Sequence, residues 1–221
     1  MVLVQLAALA FVLLFCLSFH EYAHAWAAKK QGDDTAYIHG RLTLDPMKHL
    51  DPIGSLMILL AGVGYAKPVP VNPRNFHSYK RGMALTSLAG PLSNLIVAFF
   101  FSLFHNIAWY VFTVKSPEAL YSTELTLPRM LTTFLGAVFT ANVGLAVFNL
   151  LPIPPLDGSR LLDLVLPAKA SMFLAHYERY ISMAFLALLL LGALSVPIGY
   201  LSGKLIRGIH FVTGFPFRYL R

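Results

Sequence analysis

From Val2 to Ala28 the chain is apolar at every position except Gln5, Ser18, His20, Glu21 and His24. A run of that length crosses a bilayer as one helix, because about 20 residues rising about 1.5 Å each cover the hydrocarbon core. It lacks a basic leading region and exceeds the apolar segment of a signal peptide. Histidines stand where a cleavage site would fall, so it reads as a retained span. Composition agrees: of 221 residues 57% are hydrophobic and 12% charged, and the mean hydropathy is +0.66. A soluble domain carries about a quarter charged residues. The net charge of +7 is spread among loops rather than gathered in a stripe. That pattern speaks for membrane topology and against nucleic-acid binding. Cys16 is the sole cysteine, which leaves no intrachain disulfide and no thiolate cluster for a metal.

The run ends at Lys29, Lys30 and the turn "QGDD", and Ala36 to Asp51 reads as a surface connection. Ile53 to Ala66 is apolar but only 14 residues long, too short to span. It continues into "KPVPVNPRNF", whose prolines exclude a helix interior. The pair predicts a re-entrant hairpin near 53–76, tolerated at membrane depth only where protein or a water-filled cavity satisfies its backbone. Met83 to Val114 predicts a second span, kinked or broken near its start by Pro91 of "AGPLSN". Met130 to Leu151 predicts a third, closed by "NLLPIPPLDGSR", and Tyr180 to Leu201 a last span interrupted at Pro197. Gly203 to Arg221 mixes basic and aromatic residues as an interfacial tail does.

The expected architecture is an all-α integral membrane protein: a multi-span helical bundle with a three-span core and the hairpin near 53–76. It is read as one membrane domain, 1–221, with the core at about 2–160 and the last span and tail at about 178–221. Lys29, Lys30, Lys80 and Arg81 fall on one side with Arg160, Lys169 and Arg179. By the positive-inside rule that side is cytoplasmic, which puts the N-terminus outside and "PLDG" inside.

His20, Glu21 and His24 spell H-E-x-x-H. On a helix, residues four apart share a face, so both imidazoles can address one ion, with Glu21 beside it as a general base toward water. Zinc in such a site takes three protein ligands and keeps one position open, and it lowers the pKa of water toward neutrality. An unpaired Glu at membrane depth costs several kcal/mol, so functional use is the better reading than two core histidines and a chance acid. Counting back from Lys29 at about 1.5 Å per residue places His24 roughly 7 Å and His20 roughly 13 Å inside the basic face. Asp157, delivered by Pro152, Pro154 and Pro155, is the leading third ligand, with an N-cap role as the competing reading. Asp163 is the reserve. Asn94 and Asn142 suit a cavity wall or interhelical hydrogen bonds. His39, His49 and His77 read as solvated loop residues, and His105 and His176 lack a partner at ligand spacing.

"FHEYAHAW" together with "NLLPIPPLDG" resembles the site-2 protease family of intramembrane zinc metalloproteases, and "AGPLSN" resembles that family's middle core segment. The second signature is matched by Asn149, Pro152, Pro155, Leu156, Asp157 and Gly158. The resemblance implies that His20, His24 and Asp157 bind one Zn2+ per chain and that Glu21 activates water. It implies that Asn149 holds the substrate backbone or the tetrahedral intermediate, and that the hairpin presents a strand edge to substrate. There is no room for the PDZ or CBS domains of larger members. The implied function is hydrolysis of peptide bonds within or near transmembrane segments. Its setting is a prokaryotic inner or plasma membrane, with the active site nearer the cytoplasm. Membrane-protein substrates and lipid are the expected partners, and an oligomer of the chain or a regulatory membrane partner stays open. The alternative is a divalent-metal transporter or channel, which should show further ligands along a track or an inverted repeat.

Overall fold

The computed structural model describes residues 1–54, 57, 66–121 and 124–217, and among them there is no β-strand. The first span is built from α1 (Val2–Phe11), one π-helical turn at Val12–Cys16, and α2 (Leu17–Lys30). The π turn directly precedes the H-E-x-x-H segment, and Ser18 Oγ donates back to the Leu14 carbonyl across it at 2.7 Å. The second span, α3, is Tyr79–Lys115, and the third, α4, is Leu127–Asn149. The last two helices are α5 (Ala168–Leu190) and α6 (Ser195–Gly214). The stretches Val2–Lys30, Tyr79–Lys115, Leu127–Asn149 and Ala168–Leu190 are each long and apolar enough to cross a membrane.

The core forms where the first three spans meet. Ala8, Val12 and Cys16 pack against Val138 with Phe101 and Phe134 around them, and Ala98 packs against Phe139, Val143 and Val147. Where small residues face a neighbour the backbones approach closely, which is how helices associate in lipid without a hydrophobic driving force. Asn142 Nδ2 donates to Cys16 Sγ at 3.3 Å and to its own helix at the Val138 carbonyl, an interhelical contact. Phe99 and Phe100 point outward, as lipid-facing residues do.

Three expectations are corrected. First, of the kink or break expected at Pro91, the break does not occur: α3 is one helix through it. The ring is fully buried, and the hydrogen bond that Pro91 cannot donate is one loss within a helix otherwise held by packing. Second, the last apolar run does not continue to Leu201. Helix α5 begins at Ala168 and ends at Leu190, and the chain turns through Gly192 at φ +74, a backbone region that a Cβ disfavours. Pro197 lies in the first turn of α6, where no intrahelical donor is required, so glycine rather than proline makes the break. Third, His49 is fully buried and its Nε2 lies 2.8 Å from the Thr43 carbonyl.

Helix α6 is seated on α3. Thr213 Oγ1 bonds Ser102 Oγ at 2.7 Å and accepts from Asn106 Nδ2 at 2.9 Å, and the Phe217 and Tyr110 rings lie 5.6 Å apart. The end of α6 therefore sits beside the Lys115 half of α3. Residues 218–221 of the expected tail lie outside the described residues, as do 55, 56 and 58–65 of the expected hairpin. Of the expected hairpin, 53, 54 and 57 are helical, Ala66 to Asn72 has neither helix nor strand, and Pro73–Asn75 is a 3-10 turn.

The segment from Ala66 to His77 is tied to the end of the first span and the loop after it. Asp33, fully buried, accepts from the Asn72 amide at 2.7 Å, from Asn75 Nδ2 at 2.8 Å and from the Thr35 amide at 3.1 Å. His77 N donates to the Gln31 carbonyl and Lys67 N to the His49 carbonyl. Burial alone would raise the Asp33 carboxyl, but the hydrogen bonds from Thr35, Asn72 and Asn75 outweigh it and hold it below its ordinary value.

Candidate active site

One helical turn of α2 places His20 and His24 with their Nε2 atoms 2.9 Å apart, and the structure brings Asp157 Oδ2 to 3.3 Å from each. Among the described residues these three are the one cluster of metal-capable side chains whose ligand atoms lie within 4.8 Å of one another. His20 and His24 are buried, and Asp157 is half-buried. Tetrahedral zinc, about 2.0–2.1 Å from nitrogen or oxygen, separates its ligand atoms by about 3.3 Å. Two of the three separations match that value and the third is slightly shorter.

The hydrogen bonds behind the imidazoles fit the same use. His24 Nδ1 lies 2.7 Å from the Thr86 carbonyl on α3. A carbonyl only accepts, so Nδ1 carries the proton and Nε2 of the neutral ring presents a lone pair to the cluster. That lone pair, His20 Nε2 and the Asp157 carboxylate converge on one point, the donor set of a cation site. His20 Nδ1 lies 3.1 Å from Asn94 Nδ2, also on α3, and Asn94 is fully buried. Between these contacts sits Gly90. A Cβ there would stand 2.4 Å from His24 Nε2 and 2.6 Å from His20 Cε1, so only glycine lets α3 approach both rings.

Asp157 arrives by a different route. Helix α4 ends at Asn149, and the prolines that follow keep Leu150 to Leu156 out of helix until a 3-10 turn begins at Asp157. That turn is capped by Leu156 without a side-chain bond, so the Asp157 side chain does not act as the N-cap. Gly158 lies against the end of α4: a Cβ there would stand 2.3 Å from the Leu150 carbonyl oxygen. Ser159 Oγ fixes the turn by donating to the Leu156 carbonyl at 2.6 Å. Asp163 lies away from the cluster, lining a separate cavity with Lys80 and Glu178.

A cavity of about 990 Å³ opens onto the cluster, and Glu21 and Asn149 line it with His20, His24 and Asp157. Glu21 is buried. Asn149 Nδ2 donates to the Leu145 carbonyl one turn back at 3.0 Å. The segment after Ala66 contributes Val69 and Val71 to the lining, and α5 contributes Arg179 and Phe185. Helix α5 is lightly held: Phe185 meets Phe148 at 5.8 Å, and Glu178 pairs with Arg160 at 3.0 Å.

A bundle of membrane-crossing length that gathers two histidines, an aspartate and a neighbouring glutamate at a cavity of about 990 Å³ defines an integral-membrane metallohydrolase site. Residues 8–192 match the family model described as peptidase family M50. The chain is 41% identical to "Putative zinc metalloprotease YwhC" of Bacillus subtilis (strain 168) over 180 residues, 81% of this chain and 78% of that one. It is 30% identical to "Putative zinc metalloprotease Rip2" of Mycolicibacterium smegmatis over 82% of this chain and 66% of that one. The Mycobacterium tuberculosis (strain H37Rv) protein of the same name is 31% identical over 80% of this chain and 64% of its own. No solved structure matches the chain. The chain belongs to peptidase family M50. That membership makes it a zinc-dependent metalloprotease set in a membrane, and nothing in the fold or the relatives favours a transporter.

Thr86 and Gly90 are the site residues that spacing arguments leave unassigned, while Asn94 makes one of the interhelical contacts expected of it. The available signal was their position: Thr86, Gly90 and Asn94 are spaced by four, on one stripe of α3.

Proposed function

We propose that His20, His24 and Asp157 hold one zinc ion, that Glu21 is the general base, and that the enzyme hydrolyses peptide bonds within or near transmembrane segments of membrane proteins. The observation that carries this reading is the convergence of three ligand atoms at 2.9, 3.3 and 3.3 Å at the base of the cavity that Glu21 lines. Zinc bound there supplies Lewis acidity toward a carbonyl and lowers the pKa of water. The chain's own groups do the rest. Glu21 takes the proton of the attacking water and returns it to the leaving amine. Asn149 offers its amide where the substrate carbonyl gathers charge. A helical peptide bond is shielded by its own hydrogen bonds, so substrate must first unwind. The segment at Val69 and Val71 provides backbone groups that can replace those bonds by strand addition. We read the chain as one membrane domain in a prokaryotic plasma membrane, and the charge of the basic loops supports a site nearer the cytoplasmic face.

Glu21→Gln tests the reading. It should lower cleavage of a co-expressed membrane substrate by about 10²–10⁴-fold, the usual share of a general base, while zinc per chain stays at one. Full cleavage by the variant would refute the role of Glu21, and zinc-free purified wild type that cannot be reloaded would refute the ligand set.

A further inference from the structure

Resting on the metal reading above, we propose that Asn94 is a positioning residue: its amide oxygen accepts the Nδ1 proton of His20 and thereby fixes His20 as an Nε2 ligand. The argument begins with the two imidazoles. His24 has its tautomer set by the Thr86 carbonyl, 2.7 Å from Nδ1. Among the described residues no carbonyl bonds His20 Nδ1; the group facing it is Asn94, at 3.1 Å. For His20 Nε2 to offer a lone pair, Nδ1 must carry the proton, and that proton needs an acceptor.

Asn94 can be that acceptor. With Nδ2 toward His20, its Oδ1 is buried without any hydrogen-bond partner. An unsatisfied buried amide oxygen costs about 1–3 kcal/mol. Turning the amide over places Oδ1 against His20 Nδ1 and leaves Nδ2 as the unpartnered end instead, so burial does not choose between the orientations; metal binding does, because only Oδ1 can accept the proton that frees Nε2. Full burial leaves no water to do the same task. The opposite amide orientation would donate to Nδ1, leave the proton on Nε2, and point it at His24 Nε2, 2.9 Å away. That tautomer cannot ligate.

The two orientations predict opposite outcomes for one substitution. Full-length protein is purified in detergent, and zinc affinity is measured by competition with a chromophoric chelator, alongside the visible spectrum of the cobalt-loaded form. Asn94→Asp retains an acceptor and cannot donate. It should bind zinc within about threefold of wild type, with the cobalt spectrum preserved, well short of the 10–100-fold cost of losing a second ligand-shell partner. Asn94→Leu keeps the volume and removes the acceptor; it should lose about 10–100-fold in affinity. If the aspartate variant binds as poorly as the leucine variant, or the leucine variant binds like wild type, the proposal is overturned. Should the leucine variant fail to fold, the aspartate variant decides alone, by the same criterion. Failure of the metal reading itself looks different: wild type and His24→Ala would then bind zinc equally.

Discussion

Gly90 is where packing and metal binding meet most tightly, and Gly90→Ala puts a number on that. The added methyl carbon would lie 2.4 Å from His24 Nε2, 2.5 Å from His24 Cε1 and 2.6 Å from His20 Cε1. Comfortable separation is about 3.5 Å, so either α3 or the two rings must withdraw by about 1 Å. Overpacking of that kind costs about 1–3 kcal/mol, yet metal–ligand distances tolerate only about 0.2 Å. The fold should survive and the site should not. Zinc affinity is expected to fall by about 100-fold or more, in line with the cost of a 1 Å misplacement at a reacting centre. The assay is zinc retained per chain against graded chelator, with thermal unfolding measured on the same samples. Gly144 supplies the matched control. It lies inside α4 with nothing within 4 Å of an added Cβ, so Gly144→Ala should leave zinc binding alone and stabilise by about 0.5–1 kcal/mol. A folded Gly90→Ala protein with wild-type zinc affinity would refute the close-approach argument.

Three further expectations follow from other parts of the molecule. Asp157→Ala removes the proposed third ligand atom, 3.3 Å from both imidazoles, and its loss of zinc affinity should exceed the 10–100-fold typical of supporting residues, as read by chelator competition. Asp33 has its carboxyl held below its ordinary value, so its stabilisation is complete above the unfolded value of about 3.9 and is lost as pH falls through the lower folded one. A nitroxide at position 74 should stay immobile from neutral pH to about 5 and loosen in stronger acid, whereas Asp33→Asn should be loose at all pH values. Glu178→Ala breaks the half-exposed pair with Arg160 at 3.0 Å; global stability should change by no more than about 1 kcal/mol, while hydrogen exchange in Ala168–Leu190 rises.

How much of this could be read beforehand depends on whether a feature is local. The histidines are one helical turn apart, so their convergence follows from helix geometry alone, and the span containing them is long enough to be unmistakable. Asp157 is 133 residues beyond His24; spacing left its role open against an N-cap, and only the fold of the Pro-rich segment brings Oδ2 to the imidazoles. The break after Leu190 was misplaced because proline is the louder signal, although Pro197 is tolerated in a first turn and Gly192 at φ +74 is not replaceable without strain. His49 was misjudged because burial of a loop histidine depends on which segments cover it. The contact between Asn94 and His20 was beyond reach for a further reason: it needs the rotation of α3 about its axis, which a nearly uniform apolar sequence does not specify.

That rotation explains why α3 carries polar residues along its whole length. Thr86, Gly90, Asn94, Ala98, Ser102 and Asn106 recur every four positions, and all six are buried. Each step of four residues advances about 40° around a helix of 3.6 residues per turn, so the row winds through about 200° from Thr86 to Asn106. Its start meets the imidazoles of α2, its middle packs on Phe139 and Val143 of α4, and its end bonds Thr213 of α6. Small side chains along the row permit the close approach; Asn94, Ser102 and Asn106 meet side chains of the neighbours they face, and Thr86 offers its backbone carbonyl. One helix therefore sets the metal cradle at one end and seats the C-terminal helix at the other. A substitution that turns α3, even at Ser102 or Asn106 far from zinc, is expected to move Gly90 and Asn94 against the histidines, because the row shares a single rigid axis.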